Sequence, residues 1–321
     1  MTLFGHDSLF GELRAAAASG RMHHAWLLAG PQGVGKALFA DMAAARLLAD
    51  AAGAVDAPGL DLPEDHPTAR LIAAGSHPDL KRLERLSKDK GDDLARSISV
   101  AQVRGLQSLF TTTPTFSSRR IVVIDAIDDL ERPAANALLK SLEEPPPDSL
   151  FLLVSHAPGR LLPTIRSRCR MLRFGRLDEA DMASALRQAM PEADSSEIAA
   201  LAGVGEGSPG RAMGFAGLDI AGLDTAMARL IGEGDPTNAA RAALARSLSI
   251  KSAQPRYEVF LERAPAAVAA HAKRLTGPAL AEAIAAWEKI RTIASGAVRL
   301  SLDPQVTVFE IAGLLAGLAH R

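Results

Sequence analysis

The sequence is poor in cysteine, in aromatic residues and in net charge. A single cysteine, Cys169, occurs among 321 residues, which excludes an internal disulfide or a multi-cysteine zinc site within one chain. Aromatic residues make up only 4% of the chain, which argues against an aromatic-rich β-sandwich and, with the alanine-rich stretches, favours helices. The net charge of -1 provides no global attraction to nucleic acid, so such a contact needs a local basic patch.

Long apolar runs are also missing. No stretch approaches 18 uninterrupted apolar residues, and the N-terminal segment lacks the basic start and apolar run of a signal peptide. We therefore expect a cytoplasmic protein with no membrane partner, which also suits the single cysteine. A length of 321 residues with 48% hydrophobic and 23% charged residues predicts a folded chain of two domains, or three small ones.

Three short apolar runs carry the strongest strand signals: Ala25–Ala29, Ile121–Ile124 and Leu150–Val154. Their nearly continuous apolar character is typical of strands buried on both faces of a parallel sheet. A glycine-rich loop follows the first run and leads into the apolar, alanine-rich segment Ala37–Leu48, predicted to be a helix. This strand, loop and helix predict an α/β nucleotide-binding core.

The other segments predict loops and helices. Ala49–Pro67 has no helical period and is predicted to be a surface insertion with little structure, and the charged segment Lys81–Arg96, with a turn at Lys88–Gly91, is predicted to be a solvated edge. Further helices are expected at Pro133–Glu144, Asp178–Met190 and Asp194–Ala202, with a glycine-rich turn at Gly203–Gly210. Near the C-terminus Leu280, Ile284 and Trp287 form one apolar helical stripe, which packs either in the chain's own core or across an interface with another protein; we expect most of it to be internal core.

The glycine-rich loop matches all but the last position of a phosphate-binding motif, G-x-x-x-x-G-K-[ST]. Gly30, Gly33 and Gly35 would let backbone N–H groups surround phosphate oxygens, and Lys36 would reach the outer phosphates. Ala37 replaces the Ser or Thr whose hydroxyl would bind Mg²⁺. The alternative is a glycine-rich turn with an incidental lysine.

A second acidic motif follows the run Ile121–Ile124. Asp125 stands at its end, where a nucleotide-hydrolysing site places its metal-side carboxylate, although it could instead cap the next helix. Ala126 occupies the position of the glutamate that would activate water, a group whose loss costs about 10²–10⁴-fold in rate. Together with Ala37, it predicts little or no hydrolysis of ATP.

The segment Thr164–Arg170 contains three arginines within five residues. A guanidinium supplied to a neighbouring protein can stabilise phosphoryl transfer by about 10³–10⁵-fold, whereas surface arginines more simply pair with Asp or Glu. The residues alone leave both hypotheses open. Cys169 is interpreted as a small packing residue because no base partner is identified for it.

Together these motifs resemble the AAA+ clamp-loader subunits of bacterial DNA polymerase III over essentially the first 215 residues. The resemblance rests on the following segments: Gly20–Ala25, Ser76–Asp79, Ile98–Arg104, Ala134–Pro145 and Ser167–Cys169. It implies an AAA+ P-loop core with a parallel sheet at 1–175, a small helical lid at 176–217 and an all-α collar at 218–321.

The resemblance also implies roles for single residues and partners. Arg168 would be an arginine finger that reaches the ATP site of an adjacent subunit, Arg211 would sense nucleotide from the lid, and Ser155 would lie near the sensor position. The expected partners are the delta and gamma/tau subunits in a hetero-pentameric ring, with the sliding clamp and primed DNA reached through the complex.

The sequence departs from the family pattern at its insertion and its catalytic positions. Members usually carry a four-cysteine zinc module between the P-loop helix and the His-Pro-Asp motif, whereas 49–67 contains no cysteine, so no zinc and no other metal site are expected. No cofactor should be required, while ATP and Mg²⁺ binding without hydrolysis stays open because Lys36 is kept. Ala37 and Ala126 favour a non-hydrolysing subunit over the alternative, an active gamma/tau-like ATPase motor.

Overall fold

The computed structural model describes residues 2–20, 22–87, 94–111, 113–297 and 300–319. Residue contacts divide the chain into two compact units, Met1–Ala212 and Met213–Arg321. The first unit is built around a β-sheet, and the second is helical. Within the described residues, no helix combines the length and the apolar character that a membrane crossing needs.

A five-stranded sheet forms the centre of the first unit. Its strands are β1 (Ala25–Ala29), β2 (Leu80–Glu84), β3 (Arg120–Asp125), β4 (Ser149–Ser155) and β5 (Arg170–Arg173). They lie in the order β2-β3-β4-β1-β5, and every neighbouring pair is parallel. The predicted parallel P-loop sheet is confirmed, and the three predicted strands are β1 and the central parts of β3 and β4.

Helices connect and cover these strands. They are α1 (Asp7–Ala18), α2 (Lys36–Ala52), α3 (Pro67–Ala73), α4 (Val100–Arg104), α5 (Leu106–Thr111), α6 (Arg132–Glu143), α7 (Pro163–Arg166), α8 (Glu179–Ala189), α9 (Ser195–Gly205) and α10 (Pro209–Met213). Helix α6 buries Ala134, Leu138 and Leu142, which are spaced by four residues and so share one face. Helices α8 to α10 are those of the predicted lid.

The outer strands β2 and β5 depart from the sequence-based expectation. The segment Lys81–Arg96 was predicted to be a solvated edge, and its first residues do lie at the edge of the sheet, where they form the unpredicted strand β2 with only Leu83 buried. The predicted turn at Lys88–Gly91 lies outside the described residues. A strand that is buried at one position shows no continuous apolar run, which is why the pattern missed it.

The predicted insertion is organised by a buried arginine. Helix α2 continues past the expected end at Leu48 to Ala52, and 53–66 forms neither helix nor strand. The Arg46 side chain is fully buried, and its guanidinium donates to Asp50 Oδ1 at 2.9 Å and to the carbonyls of Ala57 and Asp61 at 2.8 Å each. The segment therefore has a fixed centre despite its lack of regular structure.

The second unit consists of α11 (Ile220–Glu233), α12 (Ala239–Ser249), α13 (Gln254–Ala272), α14 (Gly277–Ala297) and α15 (Pro304–Ala316). The prediction of an internal stripe is wrong for Ile284, which is 48% exposed. Helix α14 instead buries Ala283, Ala286 and Ile290, a face offset from the predicted one, because alanine permits close helix packing.

Candidate functional site

The glycine-rich loop leaves the end of β1 and enters α2, as the motif requires. A Cβ on Gly30 would lie 2.3 Å from the carbonyl oxygen of Phe174, so no side chain fits there. Gly33 has a φ of 78°, and a Cβ would lie 2.5 Å from Ser208 Oγ. Gly35 directly precedes α2, whose first residue is Lys36. The loop therefore curves around the N-terminus of α2, which is the arrangement that binds phosphate.

Lys36 lies inside that loop. Its side chain is buried, and its Nζ donates to the carbonyl oxygens of Gly30, at 2.7 Å, and of Pro31. Burial lowers the pKa of this ammonium to about 8, although the charges of Asp128 and Asp125 act in the opposite direction. A phosphate at this position would compete with the two carbonyls for the ammonium protons.

The lid side of the loop is held by α10 and the turn before it. Ser208 Oγ donates to the carbonyl of Gln32 at 2.8 Å, and the amide of Gly210 donates to that of Gly33 at 2.9 Å. Near the N-terminus, the buried ring of His6 bonds the carbonyl of Val34 through Nε2 at 2.9 Å. Three successive carbonyls of the loop therefore have partners within the chain.

A cleft of about 1210 Å³ opens beside the loop. The walls include the loop residues Pro31, Gln32 and Gly33, the two alanines Ala37 and Ala126, the carboxylate Asp125, and the arginines Arg85, Arg176 and Arg211. The predicted sensor Arg211 therefore faces the cleft, where its Nη1 lies 3.1 Å from Glu206 Oε2. The structure brings together the loop, Asp125 and Arg211, three features far apart in the sequence.

Asp125 ends β3 at the carboxyl edge of the sheet, as predicted, but its carboxylate is already paired. Arg82 Nη2 donates to Asp125 Oδ2 at 2.7 Å. A Mg²⁺ ion is implied by the P-loop fold, and the residues do not fit it, because Ala37 has no hydroxyl and Asp125 accepts from a guanidinium. Sequence reasoning missed Arg82, which carries no local motif.

Ser155 is placed at the end of β4, next to the loop. The neighbouring strand β1 ends opposite Ser155 and continues into Gly30, whose N–H donates to the Ser155 carbonyl at 3.3 Å. The buried hydroxyl donates to Asp128 Oδ1 at 3.1 Å, and Asp128 also accepts from the amides of His156 and Ala157. Asp128 thus fixes the chain after β4, and it holds the hydroxyl of Ser155.

Arg168 lies between α7 and β5, and it is not among the described residues that line the cleft. Its guanidinium donates to the carbonyl of Thr164 at 2.9 Å and lies 2.9 Å from Glu143 Oε1, with 35% of the side chain exposed. The next residue, Cys169, packs against the core, and burial raises the pKa of its thiol to about 12. A thiol of such low acidity is not a nucleophile at neutral pH.

The His-Pro-Asp segment has a structural role that sequence reasoning did not assign. Asp79 is buried and accepts hydrogen bonds from the amides of Thr115 and Phe116 at 2.9 Å each and of Ser117 at 3.1 Å. These bonds fix the turn that leads into β3, the strand ending at Asp125. No periodicity signals such a carboxylate, because its partners lie 36 to 38 residues away.

The family model described as DNA polymerase III, delta subunit matches residues 5–178. The chain belongs to this family. It is 38% identical over 186 residues to the DNA polymerase III subunit delta' of Pseudomonas aeruginosa, with 58% of this chain and 53% of that protein covered. It is 30% identical over 182 residues to the subunit tau/gamma of Haemophilus influenzae, with 57% and 24% covered.

The chain spans about half the length of the P. aeruginosa relative (53%). A solved structure of a DNA polymerase III gamma subunit-related protein from Thermotoga maritima is 15% identical, with a TM-score of 0.43 and 95% of this chain and 98% of that chain covered. The family model and the relatives named DNA polymerase III subunit delta' confirm the resemblance to DNA polymerase III subunits that was predicted from the sequence.

Proposed function

We propose that this chain is a clamp-loader subunit that does not hydrolyse ATP and that lends Arg168 to the ATP site of a neighbouring subunit. One observation carries the first part of this proposal: Ala37 and Ala126 both line the cleft beside the phosphate-binding loop. These methyl groups stand where a metal-binding hydroxyl and a water-activating carboxylate would be needed. The pairing of Asp125 with Arg82 supports the same conclusion.

The position of Arg168 supports its role in trans. Its guanidinium is partly exposed and away from the chain's own cleft, so it is available to a second protein. Its partner Glu143 is about half exposed, and ion pairs of this kind contribute only about 0–1 kcal/mol. The free-energy cost for the Arg168 guanidinium to leave Glu143 and bind a phosphoryl group in a neighbouring subunit would therefore be small.

The proposed partners are the delta and gamma/tau subunits in a hetero-pentameric ring that places the sliding clamp on primed DNA. Support comes from the family membership and from the relatives named subunit delta' and subunit tau/gamma. The collar would be 218–321, which lies within the helical unit Met213–Arg321, and 1–175 and 176–217 would be the core and the lid.

Reconstitution of the loader with Arg168→Ala tests the proposal. We expect hydrolysis at the site that Arg168 completes to fall by about 10³-fold, since that is the usual contribution of an arginine supplied in trans. Clamp loading should fall with it. Arg166→Ala is the matched control, because Arg166 is an exposed arginine on the same short helix, α7, and should leave the rate near that of the native chain. Unchanged hydrolysis with Arg168→Ala would refute the role in trans, and the chain would then be a scaffold subunit in which Arg168 has a structural role.

A second candidate function is an active ATPase motor, favoured by Lys36, which occupies the position of the phosphate-binding lysine. The isolated chain distinguishes the two. Steady, DNA-stimulated phosphate release that disappears with Lys36→Ala would establish the motor, whereas the proposed subunit should release no phosphate above the rate of that variant.

A further inference from the structure

Arg82 makes an unusually dense set of ion pairs next to the cleft, with two carboxylates that line it, Glu84 and Asp125, and with a third, Asp41. Its guanidinium donates to Glu84 Oε2 at 2.8 Å, to Asp125 Oδ2 at 2.7 Å and to Asp41. Seventy per cent of the side chain is withdrawn from solvent, since 30% is exposed. One fixed cation therefore joins three carboxylates from three different elements.

The fold explains this arrangement. In the parallel pair β2·β3, Arg82 lies opposite Val123 and Glu84 lies opposite Asp125, so residues 82, 84 and 125 share one face of the sheet. Asp41 lies four residues beyond Ala37 in α2, hence on the same side of that helix. The guanidinium thus lies between Asp125 and the helical face that carries Ala37.

A divalent cation would need this same region. In a magnesium-dependent loop the ion binds the hydroxyl after the lysine and the carboxylate at the end of the strand, which correspond here to Ala37 and Asp125. Burial lowers the pKa of Arg82, but the hydrogen bond to Glu84 and the charges of Asp41 and Asp125 raise it to above its ordinary value. Burial also raises the pKa of Asp41, in spite of the opposing charge of Arg82. An arginine in this setting stays charged at every physiological pH.

We propose that Arg82 is the built-in cation of this cleft, and that the cleft binds a nucleoside triphosphate without a divalent metal ion. The proposal rests on the proposed identity of the cleft as a nucleotide site. Arg82 pairs with Asp41, Glu84 and Asp125, so its positive charge lies beside the carboxylate that would otherwise hold the metal ion. Lys36, the N-terminus of α2 and the cleft arginines Arg176 and Arg211 then attract the phosphates.

Titration of the full chain with a fluorescent ATP derivative, in excess magnesium chloride and in excess EDTA, tests this inference. We expect dissociation constants within about twofold of each other in the two buffers. Binding that is about tenfold or more weaker in EDTA would overturn the proposal, as would the absence of binding in both buffers. This measurement uses the native chain, so it does not depend on how any variant folds.

Arg82→Gln then tests the residue. Loss of the cation should leave Asp125 unpaired and make binding about tenfold or more weaker in EDTA than in magnesium, whereas Arg82→Lys should keep the two values within about twofold. Arg85→Gln is the control, because Arg85 lines the same cleft but pairs with Asp129 and not with Asp125. For this variant the ratio of the dissociation constants in EDTA and in magnesium should stay near one, whatever the affinity. An Arg82→Gln protein that remains folded by circular dichroism and shows no dependence on metal would refute the role of Arg82. Neither result alters the Arg168→Ala test in the assembled loader, so a failure here is distinct from a failure of the proposed function.

Discussion

Replacement of Arg46 with methionine would show how much one buried guanidinium contributes to the stability of the first unit. Methionine keeps an apolar side chain of similar length but removes the bonds to Asp50, Ala57 and Asp61 and a longer one, 3.3 Å, to Val55. Asp50, with 30% of its side chain exposed, can be hydrated after the change. The carbonyls that Arg46 contacts lose a charged donor, and such bonds contribute about 1.5–3 kcal/mol each when they are not replaced by water.

With water replacing part of these bonds, we expect the free energy of unfolding to fall by about 3 kcal/mol. Urea unfolding followed by the fluorescence of Trp26, in a Trp287→Phe background, would report on the first unit, since Trp26 lies in β1 and is fully buried. Faster proteolysis within 53–66 should accompany the loss.

Arg176→Met is the matched control for this change. Arg176 also donates to one carbonyl and one carboxylate, both of Glu206, but 58% of its side chain is exposed, so we expect a loss below about 1 kcal/mol. If Arg46→Met cost no more than Arg176→Met, the conclusion that Arg46 organises the insertion would be refuted.

Three further changes test other parts of the first unit. The pKa of Lys36 is lowered from 10.5 to about 8, so between these values the unfolded chain binds one more proton than the folded chain and stability rises with pH. In urea unfolding, the free energy of unfolding of the native chain should therefore increase by about 2 kcal/mol relative to Lys36→Met from pH 8 to pH 9.5. The same pH dependence in both proteins would contradict the low pKa. Asp79→Ala should cost about 3 kcal/mol and accelerate amide exchange at 115–117, because three amides lose their acceptor; unchanged exchange would show that the turn is held otherwise. Gly30→Ala should lower the melting temperature through the contact with Phe174, whereas Gly159→Ala, which meets no atom within 4 Å, should change stability by under about 0.5 kcal/mol; equal effects would refute the close approach.

The local parts of the fold and site were predictable from the sequence. The strands β1, β3 and β4 are continuous apolar runs because both of their faces are covered, and the motif from Gly30 to Lys36 is a run of consecutive residues that can be recognised locally. The outer strands β2 and β5 were missed because solvent reaches most of their residues, which removes the apolar signal.

The electrostatic part of the site was not predictable, since it depends on residues far apart in the chain. Arg82 and Asp125 are 43 residues apart, and their contact follows from the register of β2 against β3. Arg168 was found by its motif, but its pairing with Glu143 needed the packing of α6 beside α7. Asp125 was placed correctly by the pattern, and its chemistry was decided by a strand that the pattern missed.

The contacts of Ser208, Gly210 and His6 with three consecutive carbonyls have a consequence for any molecule that enters the loop. A loop braced from outside by its own chain keeps its curvature whether or not an anion is present. Binding of an anion therefore does not need to order a flexible loop, and little of the binding free energy is lost to the conformational entropy of the backbone. Substitution of Ser208 by alanine would remove the hydrogen bond to the Gln32 carbonyl and leave the residues of the loop itself unchanged.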